Sequence, residues 1–142
     1  MILVDANLLL YAYAAGSPRH AEARAWLEGV LSGPRPVRLA WATVQAFLRL
    51  STHPRIFERP FSIDEACAIV EEWFTRPTVA TLQPGDRHWE ILRTLLRAAQ
   101  ARGDVVADAH LAALAIEHGA TLCTTDRDFV RFPDLTFENP LA

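Results

Sequence analysis

Met1-Ile2-Leu3-Val4-Asp5-Ala6-Asn7 opens the chain with four apolar residues that run straight into an acid. Such a run has no polar face, so it reads as a strand buried on both sides, the kind a parallel sheet uses. Leu8-Leu9-Leu10-Tyr11 follows the polar step, and Asn7 to about Ala15 reads as a short helix. Asp5 then stands at the carboxyl end of the first strand, the edge where open α/β sheets bind ligands. The same position would also suit a loop carboxylate or a helix cap.

The pattern continues outward from that stretch. Ser17-Pro18 predicts a helix start with Pro at its first position, running to about Ser32, where Gly33-Pro34 ends it. Val37 to Ala40 reads as a strand, and Trp41 to Leu50 as a helix with Val44, Phe47 and Leu48 on one stripe and Gln45 and Arg49 on another. Ser62-Ile63-Asp64-Glu65 is a capping-box pattern that opens the next helix. Thr78 to Leu82 reads as a strand, Asp86 to Arg102 as a helix closed by Gly103, and Val105 to His118 as an Ala-rich helix closed by Gly119. Thr121 to Thr124 predicts a buried strand, Asp126 to Arg131 a helical turn, and Thr136-Phe137 an edge strand. Strands alternating with helices predict a three-layer α/β/α domain around a short, mainly parallel sheet, with residues 1–142 as one domain.

Composition removes several kinds of chemistry. The chain has 142 residues, 51% of them hydrophobic, and a formal net charge of −3. That is enough for a substantial core, but it gives no overall basic footprint for nucleic acid. No apolar run approaches bilayer length and no secretion signal opens the chain, so a cytoplasmic protein without a membrane segment is expected. All 14 basic residues are Arg. Without Lys there is no Walker A motif, no Schiff base and no kinase-type site. Cys67 and Cys123 lack metal or redox spacing and read as small packing residues. Trp26, Trp41, Trp73 and Trp89 lie in or beside apolar stripes and predict packing rather than base stacking.

The remaining chemistry is acidic. Asp5 and Asp126 each follow an apolar strand, and Asp108 stands near the start of a helix. Each has a structural alternative, since Asp108 would complement a helix N-terminus and Thr125-x-x-Asp128 resembles a capping box. Together the three would gather at one sheet edge. Gathered carboxylates repel, so they must protonate or hold a cation, and Mg²⁺ binds through one or two carboxylates plus waters and phosphate oxygens. Phosphoryl hydrolysis is the reaction that uses such a site. His110, two residues past Asp108, would point elsewhere on its helix.

With those motifs in place, the sequence resembles the PIN-domain ribonucleases, and specifically VapC-type toxins of toxin–antitoxin pairs. Met1 to Asn7 is similar to their opening strand, Asp108-Ala109-His110-Leu111-Ala112-Ala113 to their Asp-Ala-x-x-Ala-Ala helix, and Thr124-Thr125-Asp126-Arg127-Asp128-Phe129 to their Thr-x-Asp-x-Asp-Phe signature. The resemblance implies a Mg²⁺- or Mn²⁺-dependent endoribonuclease toxin that cleaves RNA and is held in check by a cognate VapB-type antitoxin, as a homodimer. It implies that Asp5, Asp108 and Asp126 are catalytic metal ligands or their direct supports, that Asp128 assists, and that Asn7 and Thr124 orient the acids, with a plain N-cap an equal reading of Asn7. Where many PIN nucleases carry Glu, this chain has Gln45. Asp104, four residues before Asp108, would compensate on a shared face or serve as that helix's N-cap. Arg49 and Arg127 are the expected RNA phosphate contacts, and ion pairing or solvation are their alternatives. A haloacid-dehalogenase-like phosphatase also starts with Asp after its first strand, but its second Asp falls at Asn7 and its Lys has no counterpart. A PIN module that binds RNA or protein without cutting is favoured only by Gln45.

Overall fold

A computed structural model describes residues 1–142. Its strands are β1 (Ile2–Val4), β2 (Val37–Ala40), β3 (Val79–Leu82), β4 (Thr121–Cys123) and β5 (Phe137–Glu138), and its helices are α1 (Ala6–Tyr13), α2 (His20–Ser32), α3 (Trp41–Ser51), α4 (Ile63–Phe74), α5 (His88–Ala98) and α6 (Asp104–His118). A 3₁₀ helix spans Arg127–Arg131. The sheet order is β3-β2-β1-β4-β5 and every pairing is parallel. The first strand of the sequence is therefore the central strand of the sheet.

Strand side chains alternate between the two faces, and here both faces are covered. Ile2, Val4, Val37, Leu39, Val79 and Cys123 join a core with α1, α2, α3 and α4 through Leu8, Leu27, Phe47 and Trp73. Leu3, Ala40, Leu82 and Leu122 join a second core with α5, α6 and the 3₁₀ helix through Leu95, Leu114 and Phe129. The result is the three-layer α/β/α arrangement that the alternation predicts. Ile2, Leu3 and Val4 are fully buried, which is why the run shows no polar face.

Several boundaries differ from the sequence reading. Ser17 does not cap α2; its Oγ accepts the Arg19 N–H in a turn, and the helix begins at His20. The helix expected over 86–102 is shorter, because Gln100 takes φ 48° and breaks the run. Gly103 does not close that helix but opens the next, with φ 60° as the N-cap of α6. Asp104 is consequently the first residue of α6 rather than its N-cap, and Asp108 lies one turn further in. The Ser62 capping box forms as expected, with the Glu65 N–H donating to Ser62 Oγ at 3.1 Å and the Ser62 N–H to Glu65 Oε1 at 3.0 Å. Of the tryptophans, Trp73 is buried and donates to the Tyr13 hydroxyl at 3.0 Å, whereas Trp41 and Trp89 are exposed.

Candidate active site

Asp5 enters the site because β1 ends there. Its backbone is extended, so it caps α1, with Oδ1 accepting the Ala6 N–H at 2.7 Å. Its own N–H donates to the Cys123 carbonyl at 3.0 Å, continuing the ladder to β4 by one step. That step brings Thr124 level with Asp5. The Thr124 hydroxyl donates to Asp5 Oδ2 at 2.7 Å and accepts from Asn7 Nδ2 at 3.3 Å and from the Asp126 N–H at 3.0 Å. One buried hydroxyl thus joins Asp5 and Asn7 to the backbone of Asp126, more than a hundred residues further along the chain.

Asp126 caps the 3₁₀ helix, with Oδ1 accepting the Asp128 N–H at 2.8 Å. The expected capping box from Thr125 to Asp128 does not form; Asp126 is the capping residue. Asp108 projects from α6 without a hydrogen bond. Burial, then the charges of Asp126 and Asp5, raise its pKa to about 6, with Arg131 opposing and Asp104 adding to the rise. Asp5 is raised as well, first by burial and last by Asp126, against the lowering effect of its Thr124 and Ala6 hydrogen bonds. The three acids therefore share one electrostatic environment, and Asp104 contributes to it from the preceding turn of α6.

The other predicted residues stand further out. Gln45 and Arg49 are exposed on α3, and Arg127 is exposed on the 3₁₀ helix, none of them with a side-chain ion pair. His110 turns to His88, whose Nε2 lies 3.1 Å from its Nδ1. The sequence reading missed Arg131, whose Nε donates to the Asp128 carbonyl at 2.9 Å while its Nη2 lies 3.5 Å from Asp128 Oδ2. The signal was available. A 3₁₀ helix has three residues per turn, so positions 128 and 131 eclipse one another.

The donor set is entirely oxygen, which suits Mg²⁺ or Mn²⁺ rather than a thiolate-seeking metal. No three His, Cys, Asp or Glu side chains stand close enough to enclose an ion by themselves. One further acceptor is on offer, since the buried Asn7 Oδ1 has no hydrogen-bond partner. An orphaned buried carbonyl oxygen beside repelling carboxylates fits an open cation site completed by water or substrate.

A parallel five-stranded sheet with acids just past the carboxyl ends of β1 and β4 matches a known class. The PIN domain family matches residues 2–135, and the chain belongs to it. Ribonuclease VapC37 of Mycobacterium tuberculosis is 40% identical over 142 residues, covering 100% of this chain and 99% of that protein. Ribonuclease VapC31 of the same organism is 41% identical over 143 residues, covering 99% of each. Among solved structures, M. tuberculosis VapC20, described as a Sarcin-Ricin loop cleaving toxin, superimposes with a TM-score of 0.68 at 19% identity over 96% of this chain and 99% of that one. Rickettsia felis VapBC2 bound to a promoter DNA fragment gives 0.70 at 18% identity over 98% of each chain. At those identities the structural likeness speaks for the fold.

Proposed function

We propose that this protein is an endoribonuclease toxin that hydrolyses RNA phosphodiester bonds with Mg²⁺ or Mn²⁺ and is neutralised by a VapB-type antitoxin. The observation that carries the reading is the Thr124 hydroxyl joining Asp5, Asn7 and Asp126 beside the unpaired Asn7 Oδ1, with Asp108 repelled by the same acids. Full-length relatives named VapC ribonucleases support the reaction, and neighbours solved as VapBC complexes support the antitoxin.

In this reading Asp5, Asp108 and Asp126 hold the cation, Asp104 deepens the negative potential, and Asn7 and Thr124 fix the carboxylates in direction. A divalent ion bound there would activate water and stabilise charge on the phosphodiester. Asp126 is held by its own cap to Asp128, so the angle at which it faces the site is set by the 3₁₀ helix. Gln45 supplies an amide where many relatives of this fold carry a carboxylate, orienting water without adding charge. Arg49 and Arg127, free of protein ion pairs, are available to RNA phosphates. The exposed Trp41, Trp89 and Val130 support surfaces for protein partners, the antitoxin and a second copy of the chain. The cytoplasm, where RNA is plentiful, is the proposed place of action; no helix is long and apolar enough to cross a membrane.

The test is cleavage of a panel of structured RNAs by purified protein with Mg²⁺, with Mn²⁺ and with chelator, alongside Asp126→Asn. Cutting that needs both the ion and Asp126 is expected. RNA binding without cutting by folded, antitoxin-free protein would favour the second reading, a non-cleaving PIN module, for which the uncharged Gln45 is the supporting feature.

A further inference from the structure

The acidic edge poses a problem for a polyanionic substrate. The charges of Asp126, Asp5 and Asp104 all act on Asp108 there, and that of Asp126 on Asp5, and RNA must approach them with its own negative charge. Some cation has to stand where the phosphodiester arrives. Arg127, beside Asp126 in sequence, lies a third of a turn away from Asp128 around the 3₁₀ helix. Arg131 is the guanidinium whose charge is felt at Asp108.

Arg131 is also held in place. Its Nε donates to the Asp128 carbonyl at 2.9 Å, and its Nη2 lies 3.5 Å from Asp128 Oδ2. One hydrogen bond and one ion-pair contact to the same residue orient the guanidinium, while Nη1 makes no protein hydrogen bond and the side chain keeps 35% of its exposure. An exposed Arg paired only with its own turn neighbour is ordinary, worth little to stability. Here, however, the turn neighbour belongs to the short helix that Asp126 caps, so the guanidinium and the acid stand on the same 3₁₀ helix.

We propose that Arg131 contacts the scissile phosphodiester of the RNA substrate through its open guanidinium edge, with Asp128 as the residue that positions it. The proposal rests on the ribonuclease reading. A planar fork suits two phosphate oxygens, and a charge-assisted bond made more strongly as the phosphorus centre gains charge favours the transition state. Asp128 then has a role other than ligating an ion.

The test compares wild type, Arg131→Ala and Arg131→Lys in RNA cleavage, with RNA binding measured between about 50 and about 200 mM salt in the cleavage-deficient Asp5→Asn background with and without Arg131→Ala. Arg131→Ala is expected to lower kcat/KM about 10- to 100-fold, Arg131→Lys to recover part of it, and the logarithmic salt slope to shrink by about 0.7. Melting temperature should stay near that of wild type, which a purely structural Arg131 would not combine with lost turnover. Unchanged kcat/KM together with an unchanged slope would overturn the proposal. If wild type itself cuts no RNA with either ion, the ribonuclease reading fails on its own, and an unchanged binding slope would then separately remove Arg131 as a phosphate contact.

Discussion

Replacing Asp108 by Asn should make the ion-free protein more stable at neutral pH, and only there. Asp108 has no hydrogen bond to lose, and burial together with Asp126, Asp5 and Asp104 moves its pKa from 3.8 to about 6. Between those values the folded state holds a proton that the unfolded chain releases, so stability falls as pH rises from about 4 to about 6 and stays lower above it. A shift of that size corresponds to about 3 kcal/mol at 1.36 kcal/mol per unit. Asp108 is only half-buried, so water and salt screen much of this, and about 1 kcal/mol is the expected gain. For a chain of this length that is about 3 °C in Tm. The assay is thermal unfolding of wild type and Asp108→Asn with chelator from pH 4 to pH 8. The variant should melt higher at pH 7.5 and together with wild type at pH 4. Added Mg²⁺ should raise wild type more than the variant, since binding to the folded state stabilises it. Equal melting at pH 7.5, or the same gain at pH 4, would refute electrostatic crowding of the three acids.

Gln45→Ala should reduce metal-dependent cleavage about tenfold, less than Asp5→Asn does; equal abolition by both in the same kinetic assay would contradict a merely supporting Gln45. Thr124→Val keeps the shape of a buried side chain but strands Asn7 Nδ2 and the Asp126 N–H, so denaturant unfolding should show a loss of about 1–3 kcal/mol alongside weakened cleavage. Ser62→Ala breaks the α4 capping box and should cost about 1 kcal/mol in the same unfolding measurement while leaving cleavage unchanged.

Which parts of this protein can be read from its sequence follows from how local their causes are. The buried strands announce themselves, because a sheet covered on both faces leaves β1 wholly apolar and β4 with a polar residue only at its half-buried first position, Thr121. The capping box at Ser62 is local too, and it forms. Helix ends that depend on backbone strain are not so visible: Gln100 adopting a positive φ shortens α5, and Gly103, which looks like a stop, is a start. Arg131 escaped because the spacing of an α-helix directs attention to other neighbours, whereas a 3₁₀ turn aligns it with Asp128.

The acids raised an apparent choice in the sequence, between capping a helix and serving a catalytic site. The structure makes the two compatible. A carboxylate has two oxygens, and Asp126 spends Oδ1 on the Asp128 N–H while Oδ2 makes no protein hydrogen bond. Asp5 uses one oxygen for the Ala6 N–H and the other for Thr124, each oxygen keeping a further lone pair. Capping is what aims these two side chains, since it ties each to the first turn of a helix whose start is fixed by a strand end. Asp108 has neither cap nor strand, only its place on α6, and it is the acid whose pKa rises to about 6. Parallel pairing of β1 with β4 sets Asp5 beside Thr124, and Asp108 on α6 stands near enough for the charges of Asp126 and Asp5 to raise its pKa. If the proposed cation binds here, the acid without local support would draw on it for its charge, which is why replacing Asp108 is a direct probe of the site.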